Sequence, residues 1–395
     1  MKLAFFISSA GDTDLALNTI KRIETKGEHE IILIPLTKTA QGRIVNFNSI
    51  LKMTKIPLPE LLHTENQYPD ISCSEDQIGL ITEYLKKEKV DQVYCGVPSI
   101  SSNIPFQIAG SLEDLPVLIA YEFMYQPENH DLWHHLPILK NKSNIKWALP
   151  LKTAVHDFGI EDENKLHIIG HLSIDNAISS ISAINSSEDE CEKVQEKIEK
   201  TQKSLLIAEG NSFAFVSSTT QPIAIDCTFL NCVLEQLPKH PNIEVRLGLH
   251  PGIENLDSYL IEILKIYKKH QNQCQNQFKI ILTDSLFSKL KNPELTVNSL
   301  EFTQVFIRTN VNGDDAAAAA DRIAQAVPGA SPNKGVMEGK TAYTHFGITY
   351  LPKKYFANNL ETFFSGTREQ ARSKKELGLD DKTAPEHCAE LLLKS

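Results

Sequence analysis

The stretch LAFFISSAGDTDLALNTIKRIETKGEHEIILIPL, residues 3–36, decides the fold class of the chain. The continuous apolar run at residues 3–7 predicts a strand, and apolar residues at helical spacing over residues 15–24 predict a helix. A second, largely apolar run at residues 30–36 predicts another strand. Because neither run alternates with polar residues, both strands are expected to be buried on both faces, as in a parallel sheet covered by helices.

The same alternation of strands and helices continues along the chain. Helices are predicted at 78–89 and 106–112 and strands at 91–97 and 116–122, which extends the first parallel sheet. A second series combines predicted strands at 204–210, 213–218, 243–249, 278–284 and 302–310 with predicted helices at 225–237 and 254–270. The sequence therefore predicts an α/β fold with two Rossmann-like domains.

The length of the chain agrees with this division. At 395 residues, and with roughly 150 residues in a typical domain, two or three domains are expected. Residues 173–203 are rich in serine and charge, so the boundary is placed there. The expected parts are a Rossmann-like domain at 1–172, a linker and helix at 173–203, a second Rossmann-like domain at 204–355, and C-terminal helices at 356–395 that pack back on the first domain.

Composition excludes several classes of protein. The formal net charge of -10 and the lack of a lysine- and arginine-rich run argue against nucleic acid as a partner. The scattered cysteines form no CxxC pair, which is typical of a reducing cytoplasm rather than of a disulfide framework or a zinc site. The apolar run at 3–7 is short for a secretion signal, and no transmembrane segment is expected, since no stretch approaches roughly 18 apolar residues. A cytoplasmic location is expected, and secretion as a bacterial effector is left open.

Ligands of open parallel sheets bind beyond the carboxyl ends of the strands. In the first half of the chain, the carboxylates that follow predicted strands are Asp12 and Glu122, and either could take a proton from a hydroxyl group. Ser9 and Gly11 lie in the same turn as Asp12. Each acid could instead be a solvated carboxylate, and Asp12 could be the N-cap of the first helix.

In the second half, residues 305–329 read VFIRTNVNGDDAAAAADRIAQAVPG, which predicts a strand, a polar turn and an alanine-rich helix. The N–H groups in the first turn of this predicted helix have no partner within the helix, and Gly313 would let a ligand approach them closely. The segment is therefore a candidate anion-binding site. The two acids that follow could face sugar hydroxyls or could only complement the helix dipole. The candidate residues of this turn are Asn310, Asn312, Gly313, Asp314 and Asp315.

Two further turns in the second half follow predicted strands. His250 could donate to a phosphate or act as an acid toward a leaving group, or it could only cap a loop. The turn at 217–219 could supply hydroxyl and N–H groups to a diphosphate, although an ordinary polar turn would look the same. The candidate residues accompanying His250 are Ser217, Ser218, Thr219 and Gly252.

The segment ENHDLWHH, residues 128–135, concentrates histidine and acid. His130 and His134 have the i, i+4 spacing that can bind zinc on a helix, but the spacing indicates no third ligand. No metal is therefore expected, and the segment is interpreted as a helix at the surface or lining a cleft. Trp133 is expected to pack in the core, with stacking on a sugar or a base as the alternative.

Two Rossmann-like domains with a linker and a recrossing C-terminal tail resemble the GT-B glycosyltransferases over nearly the whole chain. The resemblance is carried by SSAGDTDLAL (8–17) at the first N-terminal loop and helix, KLHIIGHL (165–172) before the linker, and NGDDAAAAADRIAQAVPG (312–329) at the donor-binding helix. His250-Pro251 is also similar to the His-Pro element of bacterial sialyltransferases, which would imply a cytidine-monophosphate sugar donor. Hexosyl and sialyl transfer therefore both stay open.

The resemblance implies parallel sheets that face a central cleft, a nucleotide-sugar donor held mainly by the second domain, and an acceptor held by the first. The acceptor could be a protein, a lipid or a glycan. It also implies transfer without a cofactor or a bound metal, in which Asp12 or Glu122 acts as base and His250 helps to hold the donor. The acceptor-side residues are Ser9, Gly11 and His130.

Two other functions remain open. A nucleotide-sugar 2-epimerase shares the fold and would convert the donor without an acceptor. A binding or effector protein would keep the two-lobed shape without activity, and the absence of a glycine pair in the first loop favours this alternative.

Overall fold

The computed structural model describes the chain with gaps. The described residues are 1–45, 47, 52–55, 72–98, 102–121, 132–152, 159–160, 162–172, 175, 212–216, 224–241, 243–249, 253, 255–274, 277–292, 295, 306–309, 329–333, 348–352, 360–361, 364, 374–375 and 377–394. The chain divides into two compact units, one formed by Met1–Leu172 together with Lys374–Ser395 and the other by Ser173–Ser373.

The helices of the described residues fall between the strands, as expected for an α/β fold. They are α1 (Ala10–Glu24), α2 (Lys38–Val45), α3 (Glu75–Lys87), α4 (Ile104–Ser111), α5 (Leu132–Leu139), α6 (Ala224–Gln236), α7 (Leu256–His270), α8 (Asp284–Phe287) and α9 (Ala384–Leu393). Short 3-10 turns at Glu163–Lys165 and Leu237–Lys239 complete the set.

The first unit is built on a parallel sheet, which in the described part of the chain has the order β3-β2-β1-β4-β5-β6-β7. Its strands are β1 (Lys2–Ile7), β2 (Glu30–Pro35), β3 (Lys52–Lys55), β4 (Gln92–Gly96), β5 (Val117–Ala120), β6 (Ile145–Leu149) and β7 (Leu166–Ile168). The strand order reverses between β1 and β4. This pair is therefore the topological switch point of a doubly wound sheet, where such sheets bind ligands.

Helices cover both faces of this sheet, because successive side chains of each strand point to opposite sides. On β1, Leu3, Phe5 and Ile7 belong to a core cluster with residues of α1, α2 and α9. Ala4 and Phe6 belong to a second cluster, with residues of α3, α4 and α5. Both faces of β1 are thus apolar, which explains the continuous apolar run in the sequence.

The C-terminal helix α9 packs against α1 within the first unit. Cys388 and Leu392 of α9 have no exposed surface, and the Cys388 side chain is hydrogen-bonded to Thr19 of α1. At the rim, Arg22 lies 3.7 Å from Glu386. Helix α9 therefore belongs to the core of the unit that the beginning of the chain forms.

The second unit has its own parallel sheet, with the order β11-β10-β9-β8-β12-β13 among the described strands. These strands are β8 (Ser212–Val216), β9 (Glu244–Gly248), β10 (Phe278–Thr283), β11 (Phe306–Thr309), β12 (Gly329–Asn333) and β13 (Ile348–Pro352). Here the order reverses between β8 and β12, and β11 forms an edge of the sheet. The prediction of an α/β fold with two parallel, Rossmann-like sheets is confirmed.

Strands β3, β6, β7, β12 and β13 were not predicted from the sequence. Strand β12 reads GASPN, and proline is rare in the middle of a sheet because it lacks an N–H group. The ladder between β12 and β8 covers only Gly329 and Ala330, so Pro332 lies beyond it. The predicted strand at 204–210 and the alanine-rich helix lie outside the described residues.

Candidate functional site

The loop after β1 lies at the switch point of the first sheet. Strand β1 ends at Ile7, the loop contains Ser8 and Ser9, and α1 begins at Ala10 with Ser9 at its N-cap. The N-cap interpretation of Asp12 is therefore wrong. Asp12 is the third residue of the helix, and from there its carboxyl group reaches back to the loop.

The carboxyl group of Asp12 accepts hydrogen bonds from this loop. Its Oδ2 accepts from the backbone N–H of Ser8 at 2.8 Å, and its Oδ1 accepts from Ser9 Oγ at 2.5 Å. The backbone N–H groups of Ser9 and Thr13 also lie near enough to lower the pKa of this carboxyl group, while the Thr13 N–H donates to the carbonyl oxygen of Ser9 at 3.3 Å. The two hydrogen bonds use one oxygen atom each and tie the loop to the first turn of α1.

Burial decides the charge of Asp12. Asp12 has no exposed surface, and burial raises the pKa of its carboxyl group to about 7, although the hydrogen bonds from Ser9, Ser8 and Thr13 lower it. Removal from water disfavours the charged form more than the donors favour it. The carboxyl group is therefore expected to change charge near neutral pH.

Gly96, the last residue of β4, lies against Asp12 across the switch point. A Cβ atom on Gly96 would lie 2.6 Å from Oδ2 and 2.7 Å from Cβ of Asp12. Protein interiors are close-packed and have no slack for such an overlap. Glycine is therefore required at position 96 as long as the Asp12 side chain occupies its present place.

The end of β2 closes the same loop from the other side. Thr37 Oγ1 donates a short hydrogen bond to the carbonyl oxygen of Ser8 and accepts one from the N–H of Ala40 at 3.1 Å. The hydroxyl groups of Ser8 and Thr13 are buried without a hydrogen-bond partner in the described part of the chain. Because buried hydroxyl groups are normally paired, these two mark a place where a further polar group would be stabilised.

The structure brings together three predicted residues of the first unit, Ser9, Gly11 and Asp12, at the start of α1. Since Asp12 has no accessible surface, a substrate hydroxyl would have to displace the loop to reach it, and its role as a base stays a prediction. Glu122 and His130 lie outside the described residues, between β5 and α5 in the chain.

The sequence did not reveal three residues that build this site: Gly96, Thr37 and Thr13. The sequence did contain a signal for Gly96, because a glycine at the end of a buried strand often marks the close approach of another group. Thr37 follows β2 as an ordinary polar residue. Thr13 is likewise an ordinary residue for the first turn of a helix. Their importance comes from strand order, which a single sequence does not show.

All candidate residues of the second unit lie outside the described residues, but the strand ends fix where their turns begin. Val216 of β8 is in register with Gly248 of β9, so the turns that carry Ser217 and His250 leave neighbouring strands. The segment that contains Gly313 follows β11 in the chain, and β11 lies three strand spacings or roughly 14 Å from β8. The candidates concerned are Ser217, Ser218, Thr219, His250, Gly252, Asn310, Asn312, Gly313, Asp314 and Asp315.

The described part of the histidine-rich segment is held by ordinary packing. His135 Nε2 lies 2.7 Å from Asn103 Oδ1, and its ring lies 5.7 Å from that of Phe106. Trp133 is partly buried against the core, whereas His134 is exposed. Over the described ranges, no three His, Cys, Asp or Glu side chains lie together as a metal site requires. No helix in those ranges has the length and apolar character needed to span a membrane.

No protein-family model and no curated protein sequence matches this chain. Solved structures match it along its whole length. The UDP-GlcNAc 2-epimerase of Methanocaldococcus jannaschii, solved with UDP-GlcNAc and UDP, has a TM-score of 0.50 and 12% identity, with 100% of each chain covered. MurG of Acinetobacter baumannii has a TM-score of 0.50 and 10% identity, again with 100% of each chain covered. The chain has the GT-B fold, as the sequence predicted.

Proposed function

We propose that the chain binds a nucleotide sugar and transfers the sugar to a hydroxyl-bearing acceptor. The observation that carries this proposal is the GT-B fold of the whole chain, with a switch point in each of two parallel sheets. Open α/β sheets bind their ligands at such points. The Methanocaldococcus neighbour was solved with UDP-GlcNAc and UDP, so uridine-diphosphate sugars are the first donors to test.

The donor is assigned to the second unit. In this proposal the hydroxyl and N–H groups of Ser217 and its neighbours meet the diphosphate, and His250 donates to it from the adjacent turn. Support comes from β8 and β9, whose ends are in register beside the switch point. The sequence after β12, KGVMEGK at 334–340, follows the other strand of that switch point and adds glycine and lysine. Gly313 and its neighbours are proposed for the sugar or the ribose.

The reaction requires one bond to form and one to break. The acceptor oxygen attacks the anomeric carbon, the bond from that carbon to the diphosphate oxygen breaks, and a base takes the hydroxyl proton. N–H and hydroxyl groups stabilise the charge on the departing diphosphate. Because Asp12 is inaccessible, Glu122 and His250 are the proposed groups for proton transfer, with His130 on the acceptor side.

A nucleotide-sugar 2-epimerase is the second candidate, because the Methanocaldococcus neighbour is an enzyme of that kind. An epimerase inverts one carbon of the donor sugar and needs no acceptor. The two reactions therefore differ in what happens to the donor when it is incubated with the protein alone.

Thermal unfolding in the presence of nucleotides and nucleotide sugars tests the proposal. A ligand that binds only the native state raises the unfolding midpoint by mass action, and a uridine or cytidine sugar is expected to do so. Product analysis of the bound donor then separates the reactions, since only an epimerase converts it without an acceptor. If no nucleotide or nucleotide sugar shifts the midpoint, both enzymatic functions are wrong and a binding or effector protein remains.

A further inference from the structure

In a doubly wound sheet, the loop after the central strand presents bare N–H groups of the following helix to a phosphate. In this chain those groups already have an acceptor. The N–H group of Ser8 and the hydroxyl group of Ser9 donate to the carboxyl group of Asp12, and the N–H groups of Ser9 and Thr13 lie near enough to lower its pKa. The carboxyl oxygens therefore stand where the oxygens of a bound phosphate would be expected.

The space on the far side of the carboxyl group is also filled. Gly96 of β4 approaches so closely that a Cβ atom there would lie 2.6 Å from Asp12 Oδ2. The Asp12 side chain therefore packs directly against the backbone of Gly96. The switch point of the first unit is thus closed both by hydrogen bonding and by packing.

The loop nevertheless holds more donors than a carboxyl group can use. The hydroxyl groups of Ser8 and Thr13, on residues with 1% and 0% exposure, have no partner in the described ranges. A phosphate has more oxygen atoms than a carboxyl group and could accept from further hydroxyl groups. These two buried hydroxyl groups, one in the loop and one in the first turn of α1, would be further donors for a tetrahedral anion once the carboxyl group is removed.

We infer that the carboxyl group of Asp12 fills the phosphate position of the first unit. The consequence for substrate choice rests on the proposed function. An acceptor that enters this unit would present a neutral or positively charged group to the loop after β1, because a phosphate would find its donors occupied and a carboxyl group in its place.

The test removes the carboxyl group with Asp12→Ala and uses Asp14→Ala as a matched control, since Asp14 is a half-exposed acid of the same helix. Thermal unfolding is followed by the fluorescence of Trp133 and Trp147, the chain's two tryptophans, which both lie in the first unit. Formate and inorganic phosphate are titrated at constant ionic strength. Each is expected to raise the midpoint of Asp12→Ala by roughly 3 °C at about ten times its Kd.

Wild type and Asp14→Ala are expected to show no such rise with either anion. The inference is overturned if phosphate stabilises wild type as much as Asp12→Ala. It is also overturned if Asp12→Ala folds and responds to neither formate nor phosphate.

A measurement on the wild-type chain applies if Asp12→Ala does not fold. The amide resonances of Ser8, Ser9 and Thr13 are followed while millimolar inorganic phosphate is added, and no change is expected. Saturable shifts of these resonances would contradict the inference. Neither measurement involves a donor sugar, so a failure of the proposed function appears in the nucleotide-sugar screen and a failure of this inference appears here.

Discussion

Oδ2 of Asp12 lies 2.6 Å from the point that a Cβ atom would take on Gly96. One residue follows the central strand β1 and the other ends β4, so their contact joins the two strands at which the sheet reverses its order. The contact links the shape of the first loop to the presence of a glycine far along the chain. This link can be tested by mutation.

Gly96→Ala is expected to destabilise the first unit by about 1–3 kcal/mol, because the new methyl group overlaps the Asp12 carboxyl group. In an Asp12→Gly background, which removes the Cβ atom as well as the carboxyl group of Asp12, the same change should cost less, with a coupling of about 0.5–3 kcal/mol. Urea unfolding followed by Trp133 and Trp147 fluorescence measures the free energy of unfolding of each variant. Gly42→Ala, whose Cβ would meet no atom within 4 Å, is the control. Equal costs of Gly96→Ala in the two backgrounds would show that the Asp12 side chain is not the obstacle.

The stability of wild type relative to Asp12→Asn is expected to fall as pH rises from about 4 to 7. Burial raises the pKa of Asp12 from 3.8 to about 7 on folding, so the folded chain holds this proton more tightly than the unfolded chain. The stabilisation is complete below the unfolded pKa and is lost as pH rises through the folded pKa. A shift of about three units corresponds to about 4 kcal/mol at most.

Urea unfolding of wild type and Asp12→Asn at about pH 4.5 and pH 7.5 measures this difference, and titration of all other groups cancels between the two proteins. A difference that is flat, or that grows with pH, would mean that the carboxyl group of Asp12 stays ionised in the folded state.

Leu392→Ala is expected to destabilise the first unit by about 2–5 kcal/mol, because it removes a fully buried side chain of α9 from the core. Leu80→Ala is the matched control, since Leu80 lies on α3 with 58% of its surface exposed and should cost less than about 0.5 kcal/mol. Urea unfolding followed by tryptophan fluorescence compares the free energies of unfolding of the two variants with that of wild type. Similar small costs for both would contradict the packing of α9 in this core.

Gly313→Trp is expected to abolish the rise in unfolding midpoint caused by a nucleotide sugar, because a bulky side chain would block approach of the ligand to the backbone. Gly79→Trp is the control, since Gly79 is exposed on α3 and a Cβ atom there would meet no atom within 4 Å. A midpoint shift that survives Gly313→Trp would remove this turn from the proposed donor site.

Strands β1, β2, β4 and β5 of the first sheet could be predicted from the sequence because they are buried on both faces. Phe5 and Phe6 point to opposite core clusters, so the local pattern and the tertiary structure require the same residues. Strand β12 could not be predicted, because glycine and Pro332 disfavour strands and the pairing with β8 and β13 outweighs this preference. Local propensity is a weak guide wherever neighbouring strands decide the outcome.

The candidate site was predictable in position but not in environment. Asp12 could be selected as an acid that follows a strand, which is a local property. Its burial, its raised pKa and its contact with Gly96 depend on β4 pairing beside β1, and this pairing joins distant parts of the chain. A carboxylate that looked available for catalysis is therefore enclosed in the structure.

Helix α9 completes the first unit only after the whole of the second unit, Ser173–Ser373, has been translated. At about 5–20 residues per second, this takes roughly 10–40 s on the ribosome. During that interval α1 carries apolar residues such as Ile20 and Ile23 whose core cluster still lacks the residues of α9. Until α9 has been translated, the apolar face of α1 is incompletely covered, and we expect ribosome-associated chaperones to bind it during that interval.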